Sequence, residues 1–175
     1  MINFESSYNT MIEQEGGYVL HNIPNDRGGK TFAGITYKYN PDWIGWPFVD
    51  DLEGNKEELI YVVKLFYEKK YWDRIKGSEI ENSYIADSIF NFSVNVGVKR
   101  ASIIAQDYIK AVPDGKIGPK TLRILNKQNP EIFILRYALA KIVWYKQICA
   151  KDKTQLKFLG GWLSRTLGLV NRFYT

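Results

Sequence analysis

The chain has 175 residues, of which 45% are hydrophobic and 25% charged, the balance of an ordinary globular protein with one domain or two small lobes. One cysteine, Cys149, excludes an internal disulfide, and a single histidine, His21, argues against a His/Cys zinc site or a Ser/His triad. The net charge of +5 is spread along the chain, so any attraction to a polyanion is diffuse.

The first third of the chain predicts a helix followed by a small β-like lobe. Phe4, Tyr8, Met11 and Ile12 recur at helical spacing, which predicts a helix over residues 3–15 that ends at Gly16-Gly17. Turn residues between two short extended runs then predict a hairpin or irregular two-stranded lobe. The two runs are Tyr18–His21 and Lys30–Thr36.

The rest of the chain is mainly helical in its periodicity, apart from a tryptophan-bearing loop at Pro41–Pro47 and a turn cluster at Pro113–Pro119. Helices are predicted over Asn55–Tyr71, Ser83–Val96, Val98–Val112, Lys120–Lys127, Pro130–Lys151 and Leu156–Phe173, the last interrupted by Gly160-Gly161. The fold class is therefore mainly α, with a small β-hairpin lobe near the N-terminus.

Two carboxylates and a hydroxyl follow one another around the predicted glycine-rich turns. Glu15 closes the first helix, where the negative end of the helix dipole favours the protonated acid. Asp26 stands in a polar turn, and Thr31 follows the next glycine pair. An acid, an ionised carboxylate and a hydroxyl that holds water suffice for glycoside hydrolysis. By spacing alone, a solvated helix-end acid and a self-capping turn explain the same residues.

Four motifs in order resemble the glycoside hydrolase family 108 N-acetylmuramidases, found in phage endolysins and bacterial relatives. They are E-G-G-Y with D-R-G-G-K-T and G-I-T (from Glu15), F-N-F-S-V-N-V-G (from Phe90), D-G-K-I-G-P-K-T-L (from Asp114) and G-W-L-S-R (from Gly161). The last two resemble a helical region described as a predicted peptidoglycan-binding domain. The resemblance implies a lysozyme-like, mostly α fold, with Glu15, Asp26 and Thr31 in the family's catalytic positions. It also implies a catalytic region over 1–96 and a peptidoglycan-binding region over 97–175, which we expect to pack into one globule.

Other polar and aromatic residues are candidates for substrate binding. Tyr18 and Tyr37 flank the expected cleft, where they either stack on a sugar or pack the small lobe. Asn91 and Asn95 share one face of an apolar helix, where they either brace neighbouring segments or bind the substrate's N-acetyl group and hydroxyls.

The preferred function is a peptidoglycan hydrolase that cleaves the β-1,4 bond between N-acetylmuramic acid and N-acetylglucosamine, with Glu15 as general acid. A lytic transglycosylase and a non-catalytic envelope module that binds peptidoglycan are the alternatives. A nucleic-acid binder is disfavoured because the chain has no concentrated basic face.

The remaining expectations concern cofactors, partners and location. We expect no metal or other cofactor, so EDTA leaves the activity unchanged. The partners expected are peptidoglycan glycan strands, with no nucleic acid and no stable membrane insertion, and the protein is expected to be a monomer. The N-terminus lacks a cleavable signal peptide, so the protein is expected to be made in the cytoplasm. A holin or a secretion system would deliver it to the periplasm or cell wall.

Overall fold

A computed structural model of the chain describes residues 4–21 and 30–174 and confirms the mainly α fold with a small β lobe near the N-terminus. The chain divides into two compact units, with Phe4–Lys70 in the first and the residues from Tyr71 onward in the second.

The first unit contains two helices and the sheet. Helix α1 spans Phe4–Gln14 and buries Phe4, Tyr8, Met11 and Ile12, the face that its periodicity predicts. The strands are β1 (Leu20–His21), β2 (Thr31–Phe32) and β3 (Ile35–Thr36). Helix α2 spans Lys56–Tyr67 and passes into a π-helical turn over Glu68–Trp72, short of the single helix to Tyr71 that the sequence predicts.

The sheet has three antiparallel strands in the order β1-β2-β3 rather than the two that the sequence predicts. The predicted single run Lys30–Thr36 is itself a hairpin, because Ala33 (φ +48°) and Gly34 (φ +77°) form a two-residue turn. Positive φ at both central residues is the geometry of the tight hairpin turns whose twist matches the strands. Phe32 pairs with Ile35 across this turn, and both side chains are buried.

The second unit is built from five helices within the described residues. They are α3 (Ser83–Val96), α4 (Val98–Tyr108), α5 (Pro119–Leu125), α6 (Pro130–Lys151) and α7 (Leu156–Tyr174). Helix α3 lies against α4 and α6, and α6 also lies against α4 and α7. Nine consecutive residues of α3, from Ile85 to Ser93, are buried. Helix α3 is therefore the central helix of this unit.

Two helices of the second unit differ from their predicted extents. Helix α4 ends at Tyr108 rather than Val112, followed closely by Lys110 at φ +60°. Helix α7 runs without interruption through Gly160-Gly161, although glycine weakens a helix. The helix continues there because the turns that follow the glycines are packed. Trp162 stacks on Tyr145 of α6 with ring centroids 4.9 Å apart, and Thr166 is buried.

None of the helices in the described part of the chain is long and apolar enough to cross a lipid bilayer.

Candidate functional site

Glu15 sits where α1 ends in a pair of overlapping turns. The Glu15 amide still donates to the Met11 carbonyl at 3.0 Å, so Glu15 continues the last turn of the helix. The Gly17 amide then donates to Ile12 at 2.8 Å and the Gly16 amide donates to Glu13 at 3.1 Å. This is the Schellman pattern, which requires a left-handed residue after the helix, and Gly16 supplies it at φ +90°.

The two glycines leave the space beside Glu15 open. A Cβ added to Gly16 or Gly17 would meet no atom of residues 4–21 and 30–174 within 4 Å other than its chain neighbours. Both have positive φ, so glycine is needed here for its backbone conformation and not to avoid a contact. The half-buried Glu15 side chain therefore has, among the described residues, no side chain of Gly16 or Gly17 beside it.

The tip of the β2–β3 hairpin lies close to the Glu15 side chain. A Cβ placed on Gly34 would be 3.3 Å from Glu15 Oε2 and 2.6 Å from Tyr67 Oη. The Tyr67 hydroxyl in turn donates to the Ala33 carbonyl at 2.8 Å, in a buried position. The end of α2 therefore anchors the hairpin tip, and the missing side chain at Gly34 makes room for the Glu15 carboxyl group.

Thr31 opens strand β2, and the structure brings its hairpin to Glu15. Thr31 pairs with His21 on one side and with Thr36 on the other, and it is half-buried. Asp26 lies outside the described residues. The catalytic assignments of Glu15, Asp26 and Thr31 stay predictions.

Tyr18 lines a small apolar pocket of about 210 Å³ in the first unit. Phe32 and Leu59 also line this pocket, while the Tyr18 hydroxyl lies 2.7 Å from the Tyr8 hydroxyl. Burial raises the pKa of Tyr8 well above its ordinary value, so Tyr8 stays neutral at physiological pH. This hydrogen bond fixes the Tyr18 ring at the pocket with 37% of the residue exposed.

Tyr37 is about half exposed and packs its ring edge-on against Trp46, with centroids 5.3 Å apart. Trp43 and Trp46 of the loop are themselves buried, and Trp46 Nε1 donates to the Asn40 carbonyl at 2.7 Å. The two tryptophans thus anchor the loop, whereas Tyr37 keeps an accessible ring face.

Asn91 and Asn95 lie on α3, in the second unit, and both are held by hydrogen bonds. Asn91 is buried and its Nδ2 donates to the carbonyl and carboxylate of Asp87, at 3.1 and 2.9 Å. Asn95 donates to the Asn91 carbonyl at 2.8 Å and accepts from Arg165 on α7. These contacts match the bracing interpretation, and the substrate-binding role of the two residues stays a prediction.

The structure also contains a buried cation that the sequence analysis did not identify. Lys141 on α6 is 2% exposed, and its Nζ donates to the carbonyl and hydroxyl of Ser88, at 3.0 and 2.8 Å. Burial lowers the pKa of Lys141 to about 7, although the charge of Asp87 opposes this shift. A lysine inside the apolar run A-L-A-K-I-V-W-Y is the signal that could have revealed it.

Among residues 4–21 and 30–174, no three His, Cys, Asp or Glu side chains form a group that could hold a metal ion.

Two family models match successive parts of the chain. Residues 8–97 match the model described as Glycosyl hydrolase 108, and residues 100–167 match the model described as Predicted Peptidoglycan domain. The first match includes Glu15 and the whole hairpin, and the second begins within α4. No curated protein matches the chain.

Among solved structures, the chain is similar to Brucella abortus SagA, with a TM-score of 0.66 over 95% of both chains. The sequence identity is 23%, so the likeness concerns the fold.

Proposed function

Because the chain belongs to the glycosyl hydrolase 108 family, we propose that it hydrolyses the β-1,4 bond between N-acetylmuramic acid and N-acetylglucosamine, with Glu15 as general acid. The family match and the peptidoglycan domain together make the protein a lysozyme-like glycoside hydrolase that acts on peptidoglycan in the cell wall. The bond and the residue roles are the proposal.

The proposal rests on the surroundings of the Glu15 carboxyl group. It lies within the family-matched segment, at the end of a helix, next to the tip of a tight hairpin and to the two glycines that end the helix. As the general acid, Glu15 donates its proton to the leaving oxygen of the glycosidic bond. Asp26 supplies the ionised carboxylate and Thr31 holds the attacking water.

The proposed substrate contacts follow from accessibility. Tyr18 and Tyr37 each expose enough ring to stack on a sugar, and both belong to the same unit as Glu15. The substrate-binding role predicted for Asn91 and Asn95 stays a separate proposal that does not rest on accessibility, since Asn91 is buried and both side chains are hydrogen-bonded within the second unit. Export through a holin or a secretion system, and a monomeric state, complete the proposal.

A turbidity assay on purified cell walls tests the role of Glu15. We expect Glu15→Gln to lower the clearing rate by at least about 100-fold, because the amide cannot supply the proton and general acid catalysis contributes about that much. Thermal unfolding should change little. Glu13→Gln, the same change at an exposed position of α1, should clear walls at the wild-type rate. If Glu15→Gln cleared walls as fast as Glu13→Gln, Glu15 would not be the acid.

The same assay ranks the other two residues. Asp26→Asn should lose much of the activity and Thr31→Ala somewhat less, whereas Thr36→Ala, at the position paired with Thr31, should lose none. Mass spectrometry of the products separates hydrolysis from lytic transglycosylation, since the anhydro product of the latter is lighter by one water.

A further inference from the structure

We propose that a groove between α4 and α6 binds the acidic stem peptide of peptidoglycan. The groove has a volume of about 620 Å³ and belongs entirely to the second unit. Residues of both helices and of the segment after α4 line it, among them Arg100, Lys110 and Arg136. This inference rests on the proposed function, and it assigns to a particular surface the recognition of the peptide part of that substrate.

The charges that line the groove favour an anionic ligand. Three cations, Arg100, Lys110 and Arg136, face a single carboxylate, Asp107, and all four residues are exposed. None of the three cations is ion-paired with a carboxylate of the part of the chain that the structure describes. Arginine is the side chain whose planar fork matches a carboxylate with two hydrogen bonds.

Arg100 is already oriented by an aromatic ring. Its guanidinium carbon lies 4.3 Å from the centroid of the Trp144 ring, a cation–π contact that limits the freedom of the side chain. Trp144 is half-buried, and its Nε1 has no hydrogen-bond partner among residues 4–21 and 30–174. A ligand that draws Arg100 toward a carboxylate therefore also changes the surroundings of this indole.

The apolar residues that line the groove explain why we propose a peptide, and not a bare glycan, as the ligand. Ile103, Ala140 and Val143 add apolar surface between the charges. Stem peptides combine carboxylates with the methyl groups of alanines, which fit such a mixed surface. Neutral sugar rings would leave three cations without a counterpart. The groove also lies within the segment that matches the Predicted Peptidoglycan domain.

The experiment measures binding without catalysis, in the Glu15→Gln background. Co-sedimentation compares Arg100→Gln/Arg136→Gln with Arg74→Gln/Arg123→Gln, a control that removes the same charge from exposed arginines outside the groove. The ligands are intact sacculi and sacculi stripped of stem peptides by an amidase. We expect the groove variant to bind intact sacculi about tenfold more weakly or worse, since charge-assisted hydrogen bonds are lost. The control should bind as the parent does, and stripping should weaken the parent to the level of the groove variant.

A second readout uses a synthetic stem tetrapeptide that contains D-glutamate. Adding this peptide should shift the indole N–H signal of Trp144 in the NMR spectrum. The signal is assigned to Trp144 because it is missing from the spectrum of Trp144→Phe. The shift should be absent in the groove variant. Equal binding of intact and stripped sacculi, or equal binding by the groove and control variants, would overturn the proposal. So would binding that requires a phosphate-bearing wall polymer, which would reassign the groove to phosphate. Failure of the proposed function looks different: Glu15→Gln would still clear cell walls, whatever the binding data show.

Discussion

At the residue scale, Gly34 is the position on which the geometry around Glu15 depends. Its φ of +77° disfavours any L side chain, and the space next to it is occupied by the Tyr67 hydroxyl and the Glu15 carboxyl group. One methyl group at this position would therefore strain the backbone and displace Tyr67, which anchors the hairpin tip, and the Glu15 carboxyl group.

We predict that Gly34→Ala lowers both the free energy of unfolding and the activity. The left-handed conformation alone costs an alanine about 1–2 kcal/mol, and the contact with Tyr67 Oη adds to it. Gly16→Ala is the matched control, because it has the same conformational penalty with no atom in the way. Urea unfolding and cell-wall clearing measure the two effects. Equal losses in both variants would show that the contact at Gly34 is unimportant.

The burial of Lys141 predicts how the stability of the protein depends on pH. Its pKa in the folded state is about 7, below the ordinary value of 10.5, so the folded chain holds fewer protons than the unfolded chain between these values. The free energy of unfolding must then rise with pH through this window, at no more than about 1.4 kcal/mol per pH unit. The rise should be seen from pH 7 to 9, below the range in which tyrosines titrate.

Urea unfolding at pH 7, 8 and 9 checks this prediction against Lys141→Met, which keeps the length of the side chain and removes the charge. The slope should be smaller in the variant. Parallel slopes in the two proteins would mean that Lys141 stays charged when buried.

The residues of the site were predictable from sequence to different degrees. Glu15 could be located because the glycines that end its helix are its immediate neighbours. The hydrogen bond from Tyr67 to the Ala33 carbonyl could not be predicted, because it joins the hairpin turn to the end of α2, which is distant in sequence. Lys141 was missed because its partner Ser88 belongs to another helix.

At the element scale, the turn Pro113–Pro119 shows how a motif can be structural. Gln106 on α4 is fully buried, and its Nε2 donates to Asp114 Oδ1 at 2.9 Å and to the Lys116 carbonyl at 3.0 Å. Its Oε1 accepts from the Gly115 amide at 2.8 Å. Hydrogen bonds from the Lys116 amide and from Gln106 lower the pKa of Asp114 below its ordinary value. One buried amide side chain thus holds the turn in place.

Helix boundaries were predicted well where turn residues mark them. They were predicted poorly where tertiary packing determines where the helix ends. Pro130 opens α6 as expected, and Asn129 caps it by accepting from the Ile132 amide at 3.0 Å. In α7 the two glycines suggested a break, but packing of the residues that follow them holds the helix together. Tertiary packing there outweighs the low helix propensity of glycine.

Because α7 is continuous through Gly160 and Gly161, replacing either glycine with alanine should raise the stability of the protein. Gly160 and Gly161 are exposed, and an added Cβ at either would meet no atom of the described residues within 4 Å outside the local chain. Gly160→Ala and Gly161→Ala should each raise the free energy of unfolding by about 0.8–1 kcal/mol, the difference in helix propensity. Thermal or urea unfolding measures the gain. A loss of stability would mean that these glycines serve a bend or a contact of the intact protein.

At the scale of the whole molecule, the end of the hydrolase family match and the division between the two compact units fall at different residues. The Glycosyl hydrolase 108 match ends at residue 97, whereas the compact units divide after Lys70. Helix α3 therefore belongs by sequence to the hydrolase segment and by packing to the unit that contains α4–α7. The assignment of separate catalytic and binding regions at 96–97 stays a prediction about function.

Fragments test which boundary governs folding. A fragment of residues 71–175 retains α3 and should unfold cooperatively in urea. A fragment of 98–175 should not, because it lacks the helix that carries Phe90 and Phe92, each worth about 1.5–3 kcal/mol when buried. Cooperative unfolding of the shorter fragment would show that α3 is dispensable to that core.

The placement of α3 limits how such proteins can recombine. A crossover at Gly97, where the hydrolase family match ends, would give a chimera whose central helix α3 comes from one parent and whose helices α4 and α6, against which α3 packs, come from the other. Mismatched shapes would then meet along nine buried positions. Exchanges that cross near Lys70 keep those surfaces with their own partners, so viable hybrids should inherit α3 together with the helices that follow it.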